Sequence, residues 1–284
     1  MDIYVLISTI DTGICRVPDV VRAEVADGVY YVVSWQRSTS FVATTGSDDA
    51  VARLRCRSDV TLTLPDGCGL CRNRNHAMDV AVGLMSDSLG DAVFVIADDD
   101  ERFTADAFTS IRSTYECWTK LDVALFRVRS SVDGFYFKRY PGGMISWDYR
   151  PRTYYPCSVE MTMRARAYHA GLRFDPRFGL GSEELCAGEE DVFLIDARRK
   201  GLKVLIFTAD IASTPPTTTG SRELDAKVLR SKGAVYAYER GYARGVVRGA
   251  HEALGLSWRH RCFPWRIFRE IMRGITYIST WKQD

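Results

Sequence analysis

The segment "DAVFVIADDDERF", from Asp91 to Phe103, runs an apolar stretch straight into Asp98, Asp99 and Asp100. Val93, Phe94, Val95 and Ile96 are β-formers, and a short uninterrupted apolar run marks a strand buried on both faces. Such a strand belongs in an α/β sheet covered by helices. Three adjacent carboxylates repel one another and raise their own pKa values unless something positive offsets them. Water at a loop tip would do so. A hard cation would do so too, since Mg²⁺ and Mn²⁺ favour carboxylate oxygens and help to bind phosphates. Open α/β sheets bind ligands beyond the carboxyl ends of their strands, which is where this run sits.

The rest of the chain continues the alternation of strands and helices. Apolar β-rich runs lie at Ile3 to Ser8 and Val29 to Trp35, and "DVTLTLPDG" alternates before a Pro-Asp-Gly turn. "NHAMDVAVGLM", Asn75 to Met85, spaces Ala77, Val80, Ala81 and Leu84 as a helix face. "TADAFTSI" reads as a short helix, and "LDVALFRVR" and "GFYFKRY" read as strands with charged interruptions. Gly142 to Pro156 shows no period and reads as a long active-site or binding loop. In "EEDVFLIDARRKG", Glu189, Glu190 and Asp191 suit a first helical turn, Arg198, Arg199 and Lys200 a last turn, and Gly201 the C-cap. "LKVLIF" gives another buried strand, and Ser213 to Ser221 a breaker-rich loop. The pattern predicts an α/β domain over residues 1–212, with a central, mostly parallel sheet flanked by helices. A loop and a helical, basic amphipathic extension follow over residues 213–284.

A formal net charge of +2 gives no reason to expect a nucleic-acid partner. Eight cysteines are too few for a small secreted disulfide scaffold in a chain of 284 residues. Cys68 and Cys71 have a motif spacing in "CGLC", but no second pair completes a zinc site, so two buried or half-buried thiols are expected. "MDIYVLISTID" lacks a basic n-region and reads as the first strand rather than a signal peptide. No stretch approaches the roughly 18 apolar residues of a transmembrane helix, which predicts a cytoplasmic protein.

Besides the acidic triplet, two constellations carry chemistry. "GLCRNRNHA" places Arg72, Arg74 and two asparagines ahead of a helix, where they could hold a diphosphate. Equally, Asn73 or Asn75 could serve as an ordinary N-cap with the arginines in solvent. In "GEED", an acid beside a bound sugar could take a proton from an attacking hydroxyl, or the acids could simply complement the helix dipole. Together the three make a workable nucleotide-sugar transferase: metal-binding acids, phosphate binders and a later base.

"YVLISTID", "GLCRNRN", "VFVIADDD", "FDPRFGLG", "GEEDVFL" and "KGLKVLIF" follow one another in the order seen in family 2 glycosyltransferases of the GT-A fold. The chain resembles that family over roughly residues 1–210, and more closely a bacterial branch acting in capsule, exopolysaccharide or lipopolysaccharide synthesis. The resemblance implies a nucleotide-diphosphate-sugar donor, with UDP favoured, and a glycan or lipid-linked saccharide acceptor. It also implies an inverting hexosyl transfer with Mn²⁺ or Mg²⁺ as cofactor. Asp98 and Asp99 would lie near base and ribose and Asp100 on the ion, with Asp98 as a second ligand. Arg74 and Asn75 would pack beneath the nucleotide with Arg72 nearby, and Thr9 and Asp11 would contact it.

Two departures from the family pattern matter. "STID" replaces the usual proline, aromatic and asparagine, and "SWQRS" replaces an acid after the second strand, which leaves Ser34 and Gln36 for base recognition. Spacing from Gly188 puts Glu190 on the catalytic-base position, whereas a literal match to Glu-Asp puts Asp191 there. A sugar nucleotidyltransferase, and a nucleotide- or carbohydrate-binding module without turnover, are the alternatives.

At the C-terminal end, Phe268, Ile271, Met272 and Ile275 share one helical face among arginines. Such a helix can lie on an anionic membrane surface, making the protein peripheral on the inner face of the cell membrane, or it can pack on protein.

Overall fold

The computed structural model describes residues 1–85, 92–151, 153–216 and 223–280. They form two compact units. The first comprises Met1–Cys68, Arg72–Arg173 and Asp196–Pro216; the second comprises Gly69–Cys71, Phe174–Ile195 and the described part of Thr217–Asp284.

The first unit is built on a sheet of β1 (Ile3–Ile10), β2 (Val29–Gln36), β3 (Val60–Thr63), β4 (Val93–Asp98), β5 (Arg102–Phe103), β6 (Val123–Ser130), β7 (Ile145–Ser146), β8 (Met161–Arg164) and β9 (Val204–Thr214). Strand order is β3-β2-β1-β4-β8-β6-β9-β5, with β7 paired to β9. β3, β2, β1 and β4 run parallel, β8 is reversed between β4 and β6, and β6 and β9 are parallel. The chain builds outward from β1 on one side and then returns to place β4 on the other. Strand order therefore reverses between β1 and β4, the switch point at which open α/β sheets leave a crevice.

The connecting helices are α1 (Val17–Val20), α2 (Thr45–Arg55), α3 (Leu70–Leu84), α4 (Ala107–Cys117), α5 (Ala165–His169) and α6 (Glu189–Arg199). Ile3, Val5 and Ile7 of β1 share a core with Val93 and Val95 of β4 and with Val17, Leu54, Phe108 and Ile111, so α1, α2 and α4 cover that face. Side chains alternate along a strand, so Ser8, Ser34 and Asp98 lie on the opposite face, with Ser8 level with both of the others across the parallel pairs.

Several elements differ from the sequence reading. α3 begins at Leu70 rather than Asn75, which puts Asn73, Arg74 and Asn75 inside the helix and rules them out as its N-cap. "GFYFKRY" is not a strand. Its polar side chains are used singly instead: Tyr136 donates to Asp210 at 2.8 Å, and Lys138 and Tyr140 both reach Glu160. Ser213 and Thr214 extend β9, and residues 217–221 of the expected loop lie outside the described residues. No disulfide forms among the described residues; Cys71 is buried, but Cys68 is exposed rather than half-buried.

In the second unit, α7 (Ala226–Arg240), α8 (Tyr242–His260) and α9 (Pro264–Thr280) pack on one another. Asp225 caps α7 by accepting from the Lys227 and Val228 amides at 2.9 and 3.3 Å. Leu229, Ala253, Leu256, Ile267, Ile271 and Ile275 form the core with Phe178, Leu185 and Val192. The apolar face of α9 is thus already covered: Ile271 and Ile275 are fully buried, and Phe268 and Met272 pack against the same cluster. That face is not free to enter a membrane. No helix among the described residues is long and apolar enough to cross one.

Candidate active site

The three aspartates leave β4 at the switch point, and each meets a different environment. Asp99 is buried and fully occupied. Thr9 Oγ1 donates to its Oδ2 at 2.5 Å, and Arg16 reaches its Oδ1 through Nε at 3.1 Å and Nη2 at 2.5 Å. Asn73 extends this strut by donating from Nδ2 to the Thr9 carbonyl at 3.1 Å. The side chain expected as a cap therefore ties α3 to the end of β1.

Asp98 is partly exposed and accepts from Arg74 Nη2 at 3.1 Å and from Ser158 Oγ at 3.4 Å. The same Arg74 nitrogen donates to Ser158 Oγ at 2.6 Å, closing a triangle of side chains. At 2% exposure, Arg74 is a buried cation whose charge Asp98 offsets, rather than an arginine waiting in solvent. Arg72, by contrast, is exposed, and Asn75 is half-buried.

Asp100 is half-buried, with Asp98 and Asp99 as neighbours. Burial pushes its carboxyl above the usual carboxylate range, the Asp98 and Asp99 charges add to that, and Arg16 opposes it. Glu101 behind it is completely buried; burial pushes its carboxyl well up, and the Asp98 charge adds to the effect.

No three His, Cys, Asp or Glu side chains among the described residues converge into a ready-made metal site. Both Asp99 oxygens already accept hydrogen bonds from Thr9 and Arg16, so a divalent ion would draw first on Asp100 and the exposed edge of Asp98. Its remaining positions would be filled by water and phosphate oxygens, as is usual for Mg²⁺. An ion there would relieve the charge crowding that raises Asp100, and in that sense the residues fit one.

Asp11 has a left-handed backbone (φ 49°), and its carboxylate accepts from the Ser38 amide at 2.7 Å and hydroxyl at 2.8 Å. Its carbonyl accepts from Trp35 Nε1 at 2.9 Å, so Asp11 fastens the loop after β2. Gln36 Nε2 donates to the Gly67 carbonyl at 3.3 Å. The hydroxyls of Ser8 and Ser34 and Oδ1 of Asn73 are buried without a hydrogen-bond partner among the described residues. Buried polar atoms are normally satisfied, so these orphans mark where polar atoms of a ligand or ordered water would sit.

Glu190 and Asp191 open α6 in the second unit, both half-buried, beside the more deeply buried Glu189. Gly188 ahead of them has φ +91°, and a Cβ there would come within 2.6 Å of Val235 Cγ2, so only glycine admits this turn. The Tyr236 phenol is pushed up by burial, with Glu252 and then Asp191 adding to it, which places the Asp191 charge in its surroundings.

The structure thus brings Thr9 to Asp99 and Arg74 to Asp98, and Asp11 bonds Ser38 and Trp35 at the end of β1. Sequence reasoning missed Arg16 and Ser158. Arg16 follows the short 3-10 turn after β1, and Ser158 opens another just before the reversed strand β8; neither position has a local sequence signal.

No protein-family model and no curated protein matches the sequence. Solved structures do share its fold. Residues 1–349 of S. aureus TarS match with a TM-score of 0.59 at 11% identity, over 98% of this chain and 90% of that one. The same protein in complex with UDP-GlcNAc matches at 0.58, with the same identity of 11% and the same coverage of 98% and 90%. The mannosyltransferase PcManGT from Pyrobaculum calidifontis, in complex with GDP-Man and Mn²⁺, matches at 0.54 and 11% identity, over 99% of this chain and 88% of that one. The fold is the expected GT-A-like α/β class with a helical C-terminal region.

Proposed function

We propose that the chain is an inverting, metal-dependent glycosyltransferase of the family 2 type. It would move a hexosyl group from a nucleotide-diphosphate donor, a UDP-sugar by preference, to a glycan or lipid-linked acceptor in cell-surface polysaccharide synthesis. The observation that carries this reading is the acidic run leaving β4 at the switch point, with the half-buried Asp100 crowded by Asp98 and Asp99 while Arg16, which opposes them, is engaged by Asp99. The fold shared with structures holding UDP-GlcNAc or GDP-Man and Mn²⁺ supports a nucleotide-sugar donor. Residues 1–212 carry the donor chemistry in this reading, and residues 213–284 are the extension.

Asp100, with Asp98, would hold Mn²⁺ or Mg²⁺, and a bound ion would neutralise the leaving diphosphate. Ser34 and Gln36 would face the base, Arg72, Arg74 and Asn75 would line the diphosphate side, and Thr9 and Asp11 would shape the nucleotide end. Asp99, held by Thr9 and Arg16, would keep that end rigid beside the ribose. Glu190, with Asp191 as its neighbour, would take the proton from the acceptor hydroxyl. The new C–O bond forms as the bond from the sugar to the diphosphate breaks, and the nucleoside diphosphate leaves with the electron pair. One displacement inverts the anomeric carbon without a covalent sugar–enzyme intermediate.

The test is product analysis after a thermal-shift screen of nucleotide-sugars with and without Mn²⁺. Free UDP or GDP is expected. Pyrophosphate would mark a nucleotidyltransferase instead, and nucleotide binding without diphosphate release, whatever the acceptor, would mark a binding module.

A further inference from the structure

The corner between α8 and α9 exposes three large aromatics, of which Trp265 also tilts against Phe268 of the helical core. Trp258 on the last turn of α8 is 89% exposed, Phe263 in the link 75% and Trp265 on the first turn of α9 64%. They fall within eight residues of sequence, so chain continuity alone keeps them together. Val247 and Leu254 are also exposed and lie on the same face of α8 as Trp258, at spacings of seven and four residues. The opposite face of α8 carries Gly245, Gly249, Ala253 and Leu256 inward, so the helix is apolar on both sides. Single exposed apolar residues are ordinary, but three on one face of α8 followed directly by two exposed aromatics in the link and the start of α9 mark an interaction surface.

Its charge selects the partner. Arg261, which ends α8 in the left-handed conformation, and Arg266 are exposed and have no ion-pair partner among the described residues. Arg259 and His260 on the same corner share the single carboxylate of Glu223. A second copy meeting this patch about a two-fold axis would set arginine against arginine. An anionic bilayer suits it better: headgroups take the guanidinium groups, and tryptophan and phenylalanine seat at the depth where one end is apolar and the other wet.

We infer that the α8–α9 corner, with Trp258, Phe263 and Trp265 as anchors and Arg261 and Arg266 beside them, docks the protein on an anionic lipid surface. The inference deepens the lipid-linked-acceptor reading above and rests on it. It moves the contact from the expected Phe268–Ile271–Met272 face, which is core, to a different surface.

Flotation of the full chain with phosphatidylglycerol-containing vesicles tests it, with pure phosphatidylcholine as the control. Binding should occur at low salt, fall at least tenfold in high salt, and fall at least tenfold in W258A/F263A/W265A or in R261A/R266A. These side chains are exposed, so both variants should keep the wild-type melting temperature. Brominated lipid should quench the tryptophan fluorescence of the wild type and much less that of W258F/W265F, which retains the fold if the alanine variant does not. No vesicle binding by the wild type, or equal binding by the triple variant, overturns the inference. So does a dimer in sedimentation that the triple variant splits, which would make the corner a joint between copies. UDP binding is measured on the same samples without vesicles, so loss of the glycosyltransferase reading and loss of this one are told apart.

Discussion

Asp98, Asp99 and Asp100 are neighbours in sequence with three different physical roles. Asp99 is structural, because Thr9 and Arg16 use both of its oxygens. Asp99→Asn should cost about 1–3 kcal/mol in urea unfolding, the range for a charged hydrogen-bond partner lost from a buried site. Asp100 is the opposite case. Its folded-state pKa is raised, so the stability it contributes is present below its unfolded pKa and lost as pH rises through the folded one. Asp100→Asn should therefore raise the melting temperature of the ligand-free protein at neutral pH, and abolish the further rise produced by Mn²⁺ with UDP. A lower ligand-free melting temperature with the Mn²⁺ response intact would contradict both halves. In the wild type, that response should fade on acidification from above the usual carboxylate range, because protons compete with the ion for the same oxygens. For the proposed base, Glu190→Gln should reduce turnover roughly 10²- to 10⁴-fold with donor affinity little changed, and Asp191→Asn should do much less. The reverse pattern in steady-state kinetics would move the role to Asp191. At this scale the sequence displayed the carboxylates but not their partners. Arg16 and Ser158 gain meaning only when the ends of β1, β4 and β8 are brought together.

At the scale of elements, the crossing of α7 and α9 is set by glycine. A Cβ at Gly274 would collide with the Arg230 carbonyl, and one at Gly233 with the Ile271 carbonyl, so the two helices approach backbone to backbone. Gly274→Ala should cost about 3 kcal/mol or more despite alanine's better helix propensity, because overpacking here pushes on main chain. A change under about 0.5 kcal/mol in the unfolding free energy from urea titration would show that the helices separate easily. Continuous apolar runs made β1, β4 and the start of β9 legible, and end charges with a C-cap glycine made α6 legible. α2 was hidden because it turns few apolar residues inward, Ala50 and Leu54 with Val51 partly buried beside them, and its start depends on a Thr44–Ser47 capping box. "GFYFKRY" reads as a strand with charged interruptions, yet its Lys138 is buried against Glu160, Tyr140 and Tyr154, a tertiary arrangement that no local period reports.

For the molecule as a whole, we propose that the GT-A-like sheet presents a carboxylate for a divalent ion that holds a nucleotide diphosphate. The ordered motifs and the strand order around β1 and β4 support that reading. Calorimetric titration of UDP into the full chain, with and without Mn²⁺, and again into Asp100→Asn, tests the claim most directly. The account predicts saturable binding that requires Mn²⁺ and is lost in Asp100→Asn while the fold is kept. UDP binding of equal strength without the ion, or unchanged Mn²⁺-dependent binding by Asp100→Asn, would contradict it.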